Sequence, residues 1–126
     1  MATKVNKGLE YDAKLLCGIS TAPMKYMANG TGSTAEGNAQ TALVTENTTG
    51  GMARKEATVA YEADYKCTWE ATWTASGAQV VREIAVLDTA TSGGNMNLRH
   101  VYAANKALAD AESITCRARE TKARAA

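Results

Sequence analysis

A strict alternation of apolar and polar side chains runs through the segment Tyr65-Lys66-Cys67-Thr68-Trp69-Glu70-Ala71-Thr72-Trp73-Thr74-Ala75. Successive side chains of a β-strand point to opposite faces, so this period of two predicts a strand with one buried face. Trp69 and Trp73 share the apolar face, and we interpret both as core aromatic residues or as part of a subunit interface. A platform on which a base or a sugar stacks is the alternative role for the two indoles.

Weaker patterns on both sides of this segment predict further strands. Residues 24–28, 53–61, 96–102 and 114–118 alternate, and residues 80–87 end in a run that is apolar on both faces, as in a central strand. Glycine-rich turns separate these segments at roughly ten-residue spacing. The predicted fold class is therefore all-β, a β-sandwich or jelly-roll-like domain with a short N-terminal helix and extended termini.

The N-terminal part of the chain differs from the rest. Residues 1–8 are polar and predict an arm or a frayed end. The apolar spacing over residues 9–19 predicts a short helix that ends near Gly18 and Pro23. We therefore expect an N-terminal arm and short helix over residues 1–22, followed by a β-sandwich domain with a basic C-terminal tail over residues 23–126.

A stretch of small polar residues follows the first predicted strand. Residues 29–40 predict a long exposed loop, and residues 41–45 predict a short helical turn. The sequence Gly30-Thr31-Gly32 lacks the lysine or third glycine of a phosphate-binding loop. We interpret it as a flexible turn.

Composition limits the class of protein. The chain has 126 residues, a formal net charge of +1, no phenylalanine, and only 17 valine, leucine and isoleucine residues. Nucleic-acid binding depends on phosphate neutralisation, so this charge balance argues against a nucleic-acid partner. No apolar stretch is long enough to cross a bilayer, and no secretion signal is present, so we expect no membrane association. The small aliphatic content favours a homo-oligomer, in which neighbouring copies supply part of the stability.

The residues that usually carry chemistry are few. His100 is the only histidine, and the spacing of Cys17, Cys67 and Cys116 matches neither a disulfide framework nor a metal site. Acidic residues form no pair on one strand face near an apolar pocket. We therefore predict no catalytic residues, no metal and no cofactor, with three free thiols and a partly buried His100 whose hydrogen bonds are satisfied.

The C-terminal segment carries four cations within eight residues: Arg117, Arg119, Lys122 and Arg124. One interpretation is a docking tail for an acidic protein surface, because complementary charge selects the partner and its register. The other is a solvated strand face that continues into a frayed end.

Several segments of the sequence, taken together in their order and spacing, resemble those of a known protein family. They are Tyr26-Met27-Ala28-Asn29-Gly30-Thr31-Gly32-Ser33-Thr34, Thr41-Ala42-Leu43-Val44-Thr45-Glu46, Gly51-Met52-Ala53-Arg54 with Ala57-Thr58-Val59, Trp73-Thr74-Ala75-Ser76-Gly77, Glu83-Ile84-Ala85-Val86-Leu87-Asp88, and Ser92-Gly93-Gly94-Asn95-Met96 with Arg99-His100-Val101-Tyr102. Over about residues 24 to 116 the chain resembles a family of small tailed-bacteriophage virion proteins, whose members are described as structural, head-decoration or tail-fibre proteins.

The resemblance implies a non-enzymatic virion structural protein, made in the host cytoplasm and located in the virion. A capsid decoration or cement protein is the first expectation, with the major capsid protein and copies of itself as partners. A tail-fibre or tail-associated module is the alternative. A receptor- or carbohydrate-binding domain that uses Trp69 and Trp73 is a third possibility.

Overall fold

Two antiparallel sheets and one helix make up the part of the chain that the computed structural model describes, residues 2–19 and 22–122. In chain order the elements are β1 Thr3–Lys4, α1 Asn6–Leu16, β2 Tyr26–Gly30, β3 Lys55–Glu56, β4 Thr58–Glu62, β5 Lys66–Thr74, β6 Gln79–Leu87, β7 Met96–Leu108 and β8 Ser113–Thr121. The larger sheet has the order β1-β7-β6-β2-β3, and the smaller has the order β4-β5-β8. The prediction of an all-β, sandwich-like fold with a short N-terminal helix is confirmed.

The alternating segment forms β5, the central strand of the small sheet, as predicted. Trp69, Ala71 and Trp73 are buried on its inner face. In the register of the neighbouring strand β8, Ala118 lies opposite Trp69 and Cys116 lies opposite Ala71. Small side chains beside large ones allow the face of one sheet to pack closely on the other.

Methionine replaces the missing phenylalanine in the core between the sheets. Met24, Met27 and Met52 are buried together with the tryptophans, and Val81 and Ile84 pack on them from β6. Methionine is unbranched and flexible, so it fills irregular gaps between rigid aromatic side chains. The methionine side chains thus fill a core that contains few branched aliphatic residues.

The N-terminal residues do not form the expected free arm. Residues Thr3 and Lys4 pair with Arg99 and Leu98 of β7, and Val5 is fully buried. The backbone N–H of Val5 donates a hydrogen bond to the carbonyl of Asn97 at 3.2 Å. The prediction of a frayed end was wrong because the edge of β7 offers backbone partners that sequence periodicity does not reveal.

The helix begins earlier than predicted and buries another face. It ends at Leu16, and both Leu16 and Ile19 are exposed, although the predicted helix used them as apolar positions. Its buried residues are Gly8 and Tyr11, with Leu15 partly buried against the same core. Positions three and four apart share one helix face, so Gly8, Tyr11 and Leu15 form the packing stripe.

Candidate interaction surfaces

The outer face of the small sheet contains two of the predicted docking cations. Arg117 donates to Glu70 at 2.8 Å, and Arg119 donates to Glu62 at 3.1 Å. All four side chains are exposed, and exposed ion pairs contribute only about 0–1 kcal/mol to stability. The structure thus brings Arg117 and Arg119 together on one face. Arg117 has a carboxylate partner on the neighbouring strand β5, and Arg119 reaches across β5 to a carboxylate on β4.

Hydroxyl pairs extend this face along the strands. The Thr72 and Thr115 hydroxyl oxygens lie 2.7 Å apart, and so do those of Thr74 and Ser113. Each pair joins residues that are directly opposite in the register of β5 and β8, the positions at which cross-strand side chains interact. The outer face of the small sheet is therefore polar and carries charges of both signs.

The third docking cation, Lys122, belongs to a group of charges that we call the Lys4–Lys122 cluster. It consists of Lys4, Asp12, Glu120 and Lys122. Lys4 Nζ lies 2.8 Å from Asp12 Oδ2 and 2.9 Å from Glu120 Oε1, and Lys122 Nζ lies 2.5 Å from Asp12 Oδ2 and also contacts Glu120. The cluster joins β1, α1 and the end of β8. The fourth cation, Arg124, lies outside the described residues.

The two carboxylates of the cluster titrate at lower pH than usual. Burial by itself raises the pKa of Asp12, but hydrogen bonds from Lys122 and Lys4 outweigh this effect and lower it. The same balance, with burial opposed by Lys122, Lys4 and Asn97, lowers the pKa of Glu120. At neutral pH the cluster therefore contains two cations and two anions.

The two tryptophans face inward and make specific contacts. Trp69 is 4% exposed and Trp73 is 1% exposed. The indole N–H of Trp69 donates to the carbonyl of Met24 at 2.6 Å, and that of Trp73 donates to the carbonyl of Ala53 at 2.9 Å. Both polar atoms are satisfied inside the protein. The indole faces are not available for stacking on a ligand in this structure.

A cleft of about 710 Å³ lies between the large sheet and β8. Ile84, Leu98, Tyr102 and Ala118 contribute apolar lining. Burial raises the pKa of the Tyr102 hydroxyl, with a further increase from its contact with Cys116. Burial also raises the pKa of the Cys116 thiol, so both groups stay protonated at neutral pH and Cys116 lacks the thiolate that a nucleophile needs.

His100 lines the same cleft, and the expectation of a satisfied histidine was wrong. Its Nδ1 atom lies 3.2 Å from Glu36 Oε2, but the orientation forms no hydrogen bond and the buried atom has no other partner. Glu36 instead accepts hydrogen bonds from the Thr3 hydroxyl at 2.5 Å and from the Val101 N–H at 2.8 Å. Burial opposes these two hydrogen bonds, which nevertheless lower the pKa of Glu36.

The most enclosed charges of the molecule lie elsewhere and were missed. Glu83 and Arg99 are both fully buried, with Arg99 Nε 3.0 Å from Glu83 Oε1. The Glu83 carboxylate also accepts hydrogen bonds from three backbone N–H groups, those of Gly32, Val44 and Thr45, at 2.8 to 2.9 Å. We call these five residues the Glu83 cluster. The sequence did contain one signal for this cluster, because Glu83 lies in the middle of the strongly apolar strand β6.

The glycines beside this carboxylate are not a flexible turn. A Cβ atom at Gly32 would lie 2.5 Å from Glu83 Oε2, and one at Gly30 would lie 2.6 Å from the same atom. Glycine is therefore required here because the backbone approaches the carboxylate closely. The predicted helical turn at residues 41–45 is also absent, since two N–H groups of this segment bind Glu83 instead.

A second arginine holds the rest of the long connection. Arg54 forms two hydrogen bonds with the Glu46 carboxylate, at 2.8 and 3.2 Å. Its Nη1 atom also donates to the carbonyls of Thr89 and Gly93 at 3.2 and 3.0 Å. Arg54 thereby joins the segment before β3 to the turn between β6 and β7. The predicted exposed loop of residues 29–40 lies before this part of the connection and is held by other contacts, from the Gly32 N–H to Glu83 and from Arg99 to the Thr34 carbonyl.

Strand β4 is exposed although it belongs to a sheet. Val59 and Tyr61 lie opposite Trp69 and Cys67 of β5, yet Val59 is 44% exposed and Tyr61 is 76% exposed. Tyr65, in the turn that follows, is also exposed. The large sheet therefore leaves the inner face of β4 uncovered, and β4 is also an edge strand of its own sheet.

The described residues contain no group of three or more His, Cys, Asp or Glu side chains placed to hold a metal ion. In the same part of the chain, no helix has the length and apolar character needed to cross a membrane. No family model matches the chain, and no curated protein matches it at a significant level.

Proposed function

We propose that this protein is a non-enzymatic structural component of a tailed-bacteriophage virion, and specifically a capsid decoration or cement protein. Its partners are the major capsid protein and further copies of itself. The observation that carries this proposal is the ordered series of segments, from about residue 24 to 116, that resembles a family of small virion proteins.

The positions of those segments in the fold support the resemblance. The Gly30-Thr31-Gly32 segment and residues 41–46 meet at Glu83, which begins another of the segments. Arg99, from the last segment, binds the same carboxylate. Segments that are far apart in sequence thus form one buried polar unit, as expected if they act together to define a common fold.

The surface also suits a protein that makes many similar contacts. The outer face of the small sheet is polar and carries charges of both signs, with the Arg117–Glu70 and Arg119–Glu62 pairs exposed. Long connections are held by partly buried hydrogen bonds, which the Glu83 carboxylate accepts and the Arg54 guanidinium donates. A small domain with fixed loops loses little conformational entropy on binding, which favours repeated attachment to a lattice.

The burial of Trp69 and Trp73 argues against the carbohydrate-binding alternative. Stacking on a sugar or base needs an accessible aromatic face. Tyr61 and Tyr65 are exposed aromatic residues instead, and they line a pocket of about 280 Å³ with Lys66, Cys67, Glu120 and Lys122. Glu120 and Lys122 are already paired with each other there, which leaves them less able to bind the hydroxyl groups of a sugar.

Separation of purified virions into heads and tails tests the proposal. We expect the protein in the head fraction, in a constant ratio to the major capsid protein by quantitative mass spectrometry. Its presence in tails alone would support the tail-associated alternative, and its absence from both fractions would contradict a virion role. Heads stripped of the protein provide the control, because added purified protein should bind them to saturation while undepleted heads take up none.

A further inference from the structure

In the described part of the molecule, β4 and β8 are open along one whole edge, and β7 is open only beyond Val101, where Lys106 protects the edge. Strands β4 and β8 each have one sheet neighbour, β5, and the edge strands of the large sheet, β1 and β3, contain two residues each. An edge strand presents unpaired backbone N–H and C=O groups that can pair with another strand. The side chains along each edge decide which of the two is suited to pairing.

The side chains of β8 oppose pairing with a second copy, and those of β4 do not. Antiparallel pairing of two β8 strands about their centre places Arg117 opposite Arg117 of the second copy, and like charges directly opposite are destabilising. Strand β4 has the sequence Thr58-Val59-Ala60-Tyr61-Glu62, without lysine, arginine or proline. It therefore lacks the lysine and proline that often protect an edge, and its single charged residue, Glu62, is paired with Arg119.

We propose that β4 pairs antiparallel with β4 of a second copy about a two-fold axis at Ala60. In this register Val59 lies opposite Tyr61 of the second copy, and the same pair occurs again on the other side of the axis. Pairs of an aromatic and a β-branched residue are favourable across strands. Thr58 lies opposite Glu62 of the second copy, so no two like charges meet. The two small sheets become one six-stranded sheet.

The area of this contact determines its strength. Each copy covers one Tyr61 side chain, about three-quarters exposed in the single chain, one half-exposed Val59 and five residues of backbone. A tyrosine carries roughly 150–250 Å² when fully buried, so the total lies below the roughly 1,200 Å² of stable specific interfaces. The pairing is therefore reversible, and it becomes strong where many copies are held close together.

The proposed function requires contacts between copies of the chain, and the pairing of β4 would supply one such contact. The pairing can be tested on purified protein, without phage heads. Cysteine cross-linking reads out the register. At Ala60 the two Cα atoms of a symmetric pair lie about 4.5–5.5 Å apart, a distance that a disulfide can span. The Thr58 positions of the two copies are offset by four residues, about 13 Å along the strand. Cys17, which is exposed, is replaced by serine in all variants.

We expect Ala60→Cys protein, oxidised with copper–phenanthroline, to form a dimer linked through residue 60, as identified by mass spectrometry. Thr58→Cys protein alone should not form such a dimer, whereas its mixture with Glu62→Cys protein should. Failure of Ala60→Cys to cross-link, or equal cross-linking of Thr58→Cys alone, would overturn the proposed register.

Sedimentation equilibrium measures the association without cross-linking. We expect a concentration-dependent dimer whose association constant falls at least tenfold in Tyr61→Lys. The matched control is Leu16→Lys, which also places a lysine at an exposed apolar position but lies on the helix and should not change the constant. A wild-type chain that stays monomeric at millimolar concentration would overturn the proposal.

Binding to stripped phage heads separates the two proposals. One outcome is that the purified wild-type chain is monomeric and that head binding is lost in Tyr61→Lys but kept in the wild type and in Leu16→Lys. In that case a capsid protein covers β4. Pairing with a second copy is then wrong and the virion role stands. If the chain dimerises through β4 but binds neither heads nor tails, the pairing stands and the virion role is wrong.

Discussion

Glu83 shows how one buried carboxylate organises a segment without regular secondary structure. It is fully buried, and its two oxygens accept hydrogen bonds from Arg99 and from the N–H groups of Gly32, Val44 and Thr45. A buried charge is tolerated when a counter-charge and hydrogen bonds replace the lost water. The connection between β2 and β3 is thereby attached to the centre of the large sheet.

Replacement of this carboxylate should be costly. We expect Glu83→Gln to lower the free energy of unfolding by about 3–5 kcal/mol, because Arg99 is left buried without its counter-charge. Glu70→Gln is the matched control, since its partner Arg117 is exposed and the expected loss is only about 0–1 kcal/mol. Urea unfolding of both variants measures the difference. Equal losses would mean that the buried pair contributes no more than a surface pair.

The sequence predicted the tryptophan positions but not the Glu83 cluster, and the reason is physical. Alternation along one strand reveals which side chains face inward, so Trp69 and Trp73 were identified without knowledge of their neighbours. The partners of Glu83 come from segments up to 51 residues away in sequence. A local pattern contains no information about such partners, although a glutamate in an apolar strand indicates that partners must exist.

At the scale of elements, the connection over residues 31–45 depends on close approach of its backbone to Glu83. We expect Gly32→Ala to displace this segment, because a Cβ atom there would lie 2.5 Å from the carboxylate. Gly37→Ala is the matched control, since its nearest neighbour would be Gln40 at 4.0 Å. Limited proteolysis should cleave this segment faster in Gly32→Ala than in Gly37→Ala. The same rate in both variants would contradict a structural requirement for glycine.

The attachment of the N-terminal residues to the sheets should weaken in acid. Folded-state pKa values of Asp12 and Glu120 lie below their ordinary values of 3.8 and 4.5. A carboxylate with a lowered pKa stabilises the fold above its ordinary pKa, and this stability is lost as the pH falls through the lowered value. We expect Val5, whose N–H donates to the Asn97 carbonyl, to lose protection against hydrogen exchange as the pH falls below these ordinary values.

A variant isolates the contribution of the Lys4–Lys122 cluster from other acid effects. Glu36 also has a lowered pKa, so part of the acid response arises outside the cluster. Lys122→Met removes one cation from the cluster and leaves Glu36 unchanged. Its Val5 protection, corrected for intrinsic exchange, should already be reduced at neutral pH and should fall less on acidification. An acid response identical to that of the wild type would show that the cluster does not hold β1.

Strands were easier to predict than the elements at their edges. The residues of β5 bury one face against a sheet, so their polarity alternates with the pleat. Strand β1 contains only Thr3 and Lys4 and is held by backbone hydrogen bonds to β7, which any pair of residues can make. Strand β4 alternates in sequence, but its apolar face is exposed, and alternation cannot distinguish a covered face from an open one.

At the scale of the whole molecule, a test of the predicted docking tail must separate two roles of its cations. They can pair with acidic residues of this chain or with an acidic surface of a partner protein. We expect Lys122→Glu combined with Arg124→Glu to reduce occupancy on phage heads if these cations meet an acidic partner surface. Because Lys122 also pairs with Asp12 and Glu120, an internal effect must be excluded. The measurement is head occupancy by quantitative mass spectrometry at low and at high salt.

The control for this prediction exchanges charges inside the chain. Adding Asp12→Lys to the double variant restores two cations and two anions in the Lys4–Lys122 cluster without restoring a basic tail. Occupancy should remain low in this triple variant if the tail docks externally. Full recovery of occupancy would assign the effect to the cluster, and the docking role of the tail would be wrong.

The pairing of β1 with β7 has a consequence for biosynthesis. Residues 3–5 leave the ribosome well before their partners Asn97, Leu98 and Arg99, which are made more than 90 residues later, and Glu120 follows later still. At about 5–20 residues per second, the first segment stays without its partners for several seconds. The final step of folding therefore follows translation of β8, and a chain truncated before that strand cannot complete the small sheet.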